Sequence, residues 1–283
     1  MVTPFAKDGS VDLDAGRRLA AHLVEHGSHG IVISGSTGES ATITDPEAFE
    51  LMDVVRAEIG AEPLIAFGTG TNDTRHSVRL TKEAVEHGAD AALVVTPYYN
   101  KPNPAGILAH FEAIAEVAGE MPIIAYNIPS RVVVNIPPEL LAELARIDNV
   151  VAVKQANNDE LQDVEGLGIL AGNDDIFLKT LELDGGVGGI LVASHLVGSQ
   201  MRAIFDAVEA GDLERAREID AGLRQLYASL GVTTNPIPVK AALAMTGLIP
   251  TDTLRLPLVS VDAEQRATVR AALESVGLTP VTQ

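Results

Sequence analysis

Val150-Val151-Ala152-Val153-Lys154 is an apolar, β-branched run that closes with a lysine. Lysine normally stays solvated because burial of its ammonium is costly, so a lysine that ends a buried strand is either neutral or has a functional role. An earlier run, Pro122-Ile123-Ile124-Ala125-Tyr126, closes with a tyrosine. If the two runs are neighbouring parallel strands, their ends lie about 4.8 Å apart. A phenol beside a strand-end lysine indicates carbonyl chemistry through a Schiff base.

Short apolar runs of this kind recur along the chain, each followed by an amphipathic stretch. The predicted strands are Met1–Thr3, Ile31–Ser34, Leu64–Gly68, Ala91–Val95, Ile123–Tyr126, Val150–Lys154, Ile169–Ala171 and Gly189–Val192. The predicted helices among them include Asp14–His26, Pro46–Ile59, Arg75–His87 and Pro104–Val117. Alternating strands and helices indicate βαβ units, and eight of them predict an α/β fold, a closed (β/α)8 TIM barrel. The sequence begins inside its first predicted strand, and one interpretation is that translation starts at an upstream codon.

The strand signal stops near Gly198, and helical patterns follow. They cover Ser199–Ala210, Leu213–Leu230, Ile237–Met245 and Ala263–Val276. These helices exceed what the last barrel unit needs. We therefore predict a catalytic barrel over residues 1–211 and a helical domain over residues 212–283, of the kind that often mediates assembly.

Composition excludes several classes of function. The 283 residues carry 39 acidic and 20 basic side chains, a net charge of −19, which argues against nucleic-acid or anionic-membrane partners. No cysteine is present, so disulfides and thiolate chemistry are excluded. No apolar stretch approaches the 18 residues of a membrane span, and the amino terminus lacks the pattern of a signal peptide. A soluble, cytoplasmic protein is predicted.

Loops that follow the predicted strands hold the candidate binding residues, because barrels place their chemistry at the carboxyl ends of strands. Gly35-Ser36-Thr37-Gly38-Glu39 combines flexible backbone with two hydroxyls, which suits an anion, although an ordinary capped turn has the same composition. Arg131 follows the fifth strand and offers a donor fork for a carboxylate; a surface salt bridge is the alternative. Tyr98 and Tyr99 follow the fourth strand, where packing or an interface is the simpler interpretation.

The glycine-rich run Gly185-Gly186-Val187-Gly188-Gly189 is similar to a phosphate-binding loop. It precedes the predicted eighth strand instead of following it, which puts it at the wrong end of a barrel. A tight turn between helix and strand is therefore the favoured interpretation.

Together these loops resemble motifs of the class I pyruvate aldolase superfamily and, within it, of the dihydrodipicolinate synthases, over essentially the whole chain. The matching stretches are Gly35–Glu39 (GSTGE), Thr96–Asn100 (TPYYN), Tyr126–Arg131 (YNIPSR), Asn235–Lys240 (NPIPVK) and Asp252–Pro257 (DTLRLP). The first motif is shared with N-acetylneuraminate lyases and sugar-acid aldolases. The YNIPSR and NPIPVK stretches are more particular to the synthases.

The resemblance implies a role for each strand-end residue on the pyruvate side. Lys154 would attack the ketone of pyruvate and form an iminium, which acidifies the methyl group. Ser36 and Thr37 would hold the pyruvate carboxylate, and the backbone carbonyl of Ile190 would contact the same substrate. No metal or organic cofactor is implied.

The resemblance also implies how protons move and how the second substrate binds. Tyr126 would shuttle protons, linked through the Thr37 hydroxyl to Tyr99 of a neighbouring subunit. Arg131 would clamp the carboxylate of aspartate semialdehyde. The implied assembly is a homotetramer, a dimer of dimers.

One departure from the family falls beside the nucleophile. The family commonly reads KEAT or KDA, whereas this chain reads Lys154-Gln155-Ala156-Asn157, so an altered second substrate could be hidden there. The alternatives are therefore an N-acetylneuraminate lyase, a 2-keto-3-deoxy sugar-acid aldolase, or a non-catalytic barrel that binds a keto acid. Arg131 argues against the two aldolases, which usually carry an apolar or small residue at that position.

Feedback by lysine is expected to be weak. Lysine-sensitive synthases use a glutamate that holds the lysine ammonium, and its position here is occupied by His76. Two further family histidines are replaced by Asp45 and Ala48.

Overall fold

The computed structural model describes residues 1–281, and the chain divides into two compact units. The first unit joins Met1–Pro63 to the segment from Val192 onward, and the second comprises Leu64–Leu191. The last two residues of the predicted helical domain, 282–283, lie outside the described residues. Within residues 1–281, no helix is both long and apolar enough to cross a membrane.

The second unit contains a parallel sheet whose strands follow chain order. Its strands are β2 (Leu64–Gly68), β3 (Ala91–Val95), β4 (Ile123–Asn127), β5 (Val150–Gln155), β6 (Gly168–Ala171) and β7 (Gly186–Gly189). Each pairs in parallel with the next. Val94 and Val153 are fully buried, which is typical of parallel strands covered by helices. The α/β class predicted from the sequence is confirmed.

Helices pack against this sheet, and α3 and α4 each begin at a side-chain cap. They are α3 (Thr74–Glu86), α4 (Pro104–Ala118), α5 (Pro129–Val132), α6 (Pro138–Leu144) and α7 (Phe177–Leu181). The Asn103 side chain accepts from the Gly106 backbone N–H and so caps α4. Phe111 and Ile114 of α4 lie in the same hydrophobic core as Val94.

In the described part of the first unit there are one strand and the remaining α-helices. They are β1 (Gly30–Ile33), α1 (Leu13–Glu25), α2 (Asp45–Ile59), α8 (Ser194–Glu209), α9 (Leu213–Leu230), α10 (Ile237–Met245) and α11 (Ala263–Ser275). Thr44 and Glu47 form a capping box at the start of α2. Every residue of α10 is buried, including Lys240.

Met1–Thr3, the predicted first strand, is not a strand in the structure. It is bound to its own unit by other contacts. The Met1 amino group donates to the Val32 carbonyl at 2.6 Å, and the Val2 N–H donates to His195 Nε2 at 3.1 Å. Because a histidine ring satisfies the Val2 donor, no regular ladder forms. Residues 1–281 therefore contain seven strands where eight were predicted.

The last predicted strand was also wrong in position. Gly189–Val192 was predicted, whereas β7 is Gly186–Gly189 and so lies entirely within the glycine run interpreted as a turn. Glycine is unfavourable in strands by propensity. Here close packing requires it, because a Cβ at Gly186 would lie 1.8 Å from the Thr180 carbonyl oxygen.

Candidate active site

Lys154 and Tyr126 are direct neighbours near the carboxyl ends of β5 and β4. The two residues are paired in the register of the sheet, and Lys154 Nζ lies 4.1 Å from the centroid of the Tyr126 ring. Lys154 is 8% exposed, and within residues 1–281 it forms no ion pair. The site therefore presents a buried amine beside a phenol, the arrangement that the two strand sequences predict.

A second pair, Asn127 and Gln155, follows directly on the same two strands. Successive strand residues point to opposite faces, so this amide pair lies behind Tyr126 and Lys154. Asn127 Nδ2 donates to Gln155 Oε1 at 3.1 Å, and the two side chains are 0% and 2% exposed. We call this pair the amide clasp. It joins β4 to β5 at the level of the lysine and the phenol.

The amide clasp also holds the segment that carries Arg131. Asn127 Oδ1 accepts from the Ile136 N–H at 3.0 Å, and its Nδ2 donates to Asn135 Oδ1 at 2.9 Å. Asn135 in turn donates to Glu160 at 2.8 Å. The chain between Asn127 and Asn135 is therefore fixed at both ends. Arg131 lies in α5 within this segment and is exposed.

Tyr99 projects into solvent in the single chain. It is 87% exposed and has a positive φ of 71°, which is rare for a bulky side chain. Hydrogen bonds anchor the loop on either side of Tyr99. Thr96 Oγ1 donates to the Tyr126 carbonyl at 3.1 Å, and Asn100 Nδ2 donates to the Asn72 carbonyl at 2.7 Å. Strained backbone that presents an exposed aromatic ring points to a functional contact for Tyr99.

Ser36 and Thr37 belong to the first unit, where they form a 3-10 turn directly after β1. The turn covers Ser36–Gly38, and both hydroxyl residues are half-buried. Thr37 Oγ1 accepts a hydrogen bond from Asn235 Nδ2 at 2.9 Å. The first N–H groups of such a turn have no partner within it, so they suit an anion.

Directly after this turn, Glu39 forms a buried ion pair with Lys240. Lys240 Nζ donates to Glu39 Oε1 at 2.5 Å and to the Thr253 carbonyl at 2.9 Å, and it is 0% exposed. Burial lowers the pKa of the Lys240 ammonium, and the hydrogen bond to Glu39 opposes that effect. Because Lys240 is enclosed, it cannot reach a substrate. Of the two lysines that are buried among residues 1–281, Lys154 is therefore the candidate nucleophile.

Arg255 extends this ion pair into a network. Its backbone N–H donates to Glu39 Oε2 at 3.1 Å, and its guanidinium donates to both carboxylate oxygens of Glu47, at 2.9 and 2.5 Å. The hydrogen bonds from Arg255 lower the pKa of Glu47 to about 2. The Phe5 ring faces both Lys240 and Arg255. The GSTGE, NPIPVK and DTLRLP stretches therefore meet in one charged network.

Ile190 follows β7, and its backbone N–H donates to the Ala171 carbonyl at 2.9 Å. It lies in the second unit with Lys154, Tyr126, Tyr99 and Arg131. Among the residues that the structure describes, no group of three or more His, Cys, Asp or Glu side chains could hold a metal ion.

Sequence reasoning did not find the residues that support the site. The sequence marks Lys240 only as the last residue of the NPIPVK stretch, although its apolar neighbours in Ile237–Met245 indicate burial. No feature of the local sequence predicts that Asn127 and Gln155 form a pair. Each simply follows the strand residue that was identified as a site candidate. Asn235 was noted only as the first residue of a motif.

Comparison with known proteins gives one family for nearly the whole chain. A model described as the dihydrodipicolinate synthetase family matches residues 1–276. The 4-hydroxy-tetrahydrodipicolinate synthase of Cyanothece sp. is 44% identical over 285 residues, which cover 98% of this chain and 96% of that protein. The crystal structure of the synthase from Cyanidioschyzon merolae with lysine bound has a TM-score of 0.94 at 38% identity, covering 98% of this chain and 96% of that one. The chloride-inhibited synthase from Acinetobacter baumannii, complexed with pyruvate, has a TM-score of 0.93 at 36% identity, covering 98% and 97%. This protein therefore belongs to the dihydrodipicolinate synthetase family, as the resemblance of its motifs indicated.

Proposed function

We propose that this protein catalyses the 4-hydroxy-tetrahydrodipicolinate synthase reaction, the condensation of pyruvate with L-aspartate 4-semialdehyde in lysine and diaminopimelate biosynthesis. The observation that carries the proposal is the buried Lys154 amine, 4.1 Å from the Tyr126 ring at the ends of adjacent strands. The curated relatives named for this activity cover nearly the whole chain, which supports it.

In the proposed reaction, Lys154 Nζ attacks the pyruvate ketone, and the ketone oxygen leaves as water to give an iminium. The iminium accepts electrons, so a methyl proton can pass to Tyr126 and an enamine forms. The enamine carbon then bonds to the aldehyde carbon, whose oxygen takes up a proton. The substrate amine finally replaces Lys154 at the imine carbon, which closes the ring and frees the lysine.

Four further residues have proposed roles around these steps. Ser36 and Thr37 bind the pyruvate carboxylate, and the Ile190 carbonyl contacts pyruvate. Thr37 also links Tyr126 to Tyr99 in a proton relay. The pyruvate complex of the Acinetobacter baumannii relative supports pyruvate as the ligand.

Arg131 is the proposed clamp for the carboxylate of aspartate semialdehyde. Arg131 is exposed within a segment that the amide clasp holds at both ends, so its guanidinium can reach an incoming anion. An N-acetylneuraminate lyase or a sugar-acid aldolase would need room for a polyol in its place. No cofactor is needed in this scheme.

The proposed architecture is the closed (β/α)8 barrel over residues 1–211, with a helical domain over residues 212–283. We further propose a cytoplasmic homotetramer, a dimer of dimers, in which Tyr99 serves the site of a neighbouring subunit. The solvent exposure of Tyr99 in the single chain supports this assembly. Mixing Tyr99→Phe with Lys154→Ala subunits should then restore some activity in hybrids confirmed by native mass spectrometry. Hybrids without recovered activity would contradict the shared site.

Borohydride reduction in the presence of pyruvate tests the nucleophile. One pyruvate-derived mass should appear on Lys154 in the peptide map, and Lys154→Ala should abolish it. A label on Lys240 or on another lysine would contradict the Schiff-base assignment. Turnover with pyruvate plus aspartate semialdehyde, measured beside cleavage of sialic acid, separates the synthase from the lyase and from a non-catalytic barrel.

A further inference from the structure

We propose that Asn235 is a positioning residue that fixes the direction in which the Thr37 hydroxyl donates its hydrogen. The inference rests on the proposed function, in which Thr37 belongs to the proton relay. Its basis is the hydrogen bond from Asn235 Nδ2 to Thr37 Oγ1, 2.9 Å long, between residues 198 positions apart in the chain.

The chemistry of the two groups determines the direction of this bond. An amide nitrogen donates and does not accept, so Thr37 Oγ1 is the acceptor. A hydroxyl has one hydrogen and two lone pairs. The hydrogen of Thr37 is therefore directed away from Asn235 and is available to another acceptor. In the proposed relay that acceptor is the phenolic oxygen of Tyr126, whose charged form a donated hydrogen bond stabilises.

The backbone that carries Asn235 is anchored by the buried helix that follows it. Asn235 lies two residues before α10, which is buried along its whole length. Lys240 of that helix is bonded to Glu39, two residues after Thr37. The NPIPVK stretch thus contacts the turn at two points, through Asn235 and through Lys240. A donor fixed in this way needs no reorganisation during the reaction.

Two substitutions at Asn235 distinguish a directional role, in which the side chain orients the Thr37 hydrogen, from a spatial role, in which it only fills space and holds the turn. Asn235→Asp keeps the size of the side chain, but an ionised carboxylate only accepts, so Thr37 would turn its hydrogen toward position 235. Asn235→Ala removes the bond and leaves the hydroxyl free to rotate. A directional role predicts that Asn235→Asp is slower than Asn235→Ala. A purely spatial role predicts the reverse order, because the aspartate retains both volume and a hydrogen bond.

Exchange of the pyruvate methyl hydrogens in D2O, followed by NMR at pH 8, is the most direct readout because it needs no second substrate. A positioned acid or base contributes about 10²–10⁴-fold to rate. We expect the exchange rate to fall about tenfold in Asn235→Ala and about a hundredfold or more in Asn235→Asp. The loss should appear in the maximal rate, with little change in the pyruvate concentration for half saturation. Equal rates for the two variants would overturn the inference.

The Thr37→Val background distinguishes this effect from simple charge repulsion of pyruvate. Without the hydroxyl, Asn235→Asp and Asn235→Ala should differ by less than about threefold, because coupling between two residues disappears when one partner is absent. A hundredfold difference that persists in Thr37→Val would assign the effect to the added charge and overturn the directional role.

A further variant covers the case in which Asn235→Asp does not fold, as judged by thermal unfolding. Asn235→Leu has a similar size and no donor, and it should exchange about tenfold more slowly than the unmodified protein. An unchanged rate in Asn235→Leu would overturn the inference. Failure of the unmodified protein both to exchange pyruvate hydrogens and to be trapped by borohydride would instead refute the proposed function.

Discussion

Replacement of Lys240 by methionine should lower the free energy of unfolding by about 3–5 kcal/mol, the usual cost of breaking a buried ion pair. The ammonium is 0% exposed, and it bonds to Glu39 Oε1 at 2.5 Å and to the Thr253 carbonyl at 2.9 Å. Methionine fills nearly the same volume, so the loss comes from the stranded carboxylate and not from a cavity. Of the donors that Glu39 has within residues 1–281, the Arg255 N–H remains, at 3.1 Å.

Equilibrium unfolding in urea, followed by circular dichroism, measures this loss. Lys179→Met is the matched control, because Lys179 is an exposed lysine of α7 and surface substitutions usually change stability by less than about 0.5 kcal/mol. Since Glu39 follows Thr37 by two residues, Lys240→Met should also raise the KM for pyruvate.

The double variant tests whether the two charges act as a pair. Glu39→Gln with Lys240→Met leaves no buried charge without a partner, so it should be more stable than the sum of the single losses implies. Strictly additive losses, or a loss below about 1 kcal/mol for Lys240→Met, would refute the reasoning.

Three further predictions concern substrate binding by Arg131, the pH dependence of stability through His195, and inhibition by lysine. Arg131→Ala should lower kcat/KM for aspartate semialdehyde about tenfold to a hundredfold, since a charge-assisted bond contributes about 1.5–3 kcal/mol. Pyruvate trapping at Lys154 should survive in this variant. Loss of both turnover and trapping would show that Arg131 has a structural role. Burial lowers the pKa of His195 from 6.5 to about 3, so between these values the unfolded chain binds a proton that the folded chain excludes. The free energy of unfolding should therefore fall as pH falls through this window, and His195→Gln should flatten that slope in urea titrations from pH 7 to pH 4. Lysine should inhibit with a midpoint above about 1 mM, because His76 occupies the position at which the family resemblance implies a glutamate that holds lysine. A lower midpoint in an inhibition titration would identify another contact.

Local pattern predicted most elements because periodicity and caps are local properties. β2, β3, α9 and α10 begin and end where their sequence patterns predict. The neighbourhood of Lys154 and Tyr126 was also predictable, since parallel strands bring their ends together. By contrast, β7 depends on the crowding of Gly186 against another residue, which no propensity reports.

Long-range pairing explains what was missed in the site. Lys240 and Glu39 are 201 positions apart, and the local sequence around either residue does not predict the other. The motifs that contain them can be identified in the sequence, but the ion pair between them can be identified only in the folded structure. The same holds for Asn235 and Thr37.

Gln155 illustrates how the structure changes the interpretation of a sequence departure. Its position beside Lys154 suggested that an altered substrate could be hidden there. Its side chain instead lies on the opposite face of β5, where Oε1 accepts from Asn127 Nδ2 at 3.1 Å and from the Asn157 N–H at 3.0 Å. A glutamate, as the family commonly has, would keep both acceptor contacts.

We therefore expect Gln155→Glu to leave the selectivity between aspartate semialdehyde and sialic acid unchanged. Gln155→Met, which is similar in size but has no acceptor, removes the acceptor of the Asn157 N–H and one of the acceptors of Asn127 Nδ2. It should cost about 1–3 kcal/mol of stability. Slower borohydride trapping at Lys154 should accompany that loss, because the amide clasp holds β4 against β5 behind the lysine. Substrate competition assays and urea unfolding on the two variants check both statements. A change of selectivity in Gln155→Glu would show that this position contacts the substrate after all, and equal stability of the two variants would show that the clasp does not hold the strands.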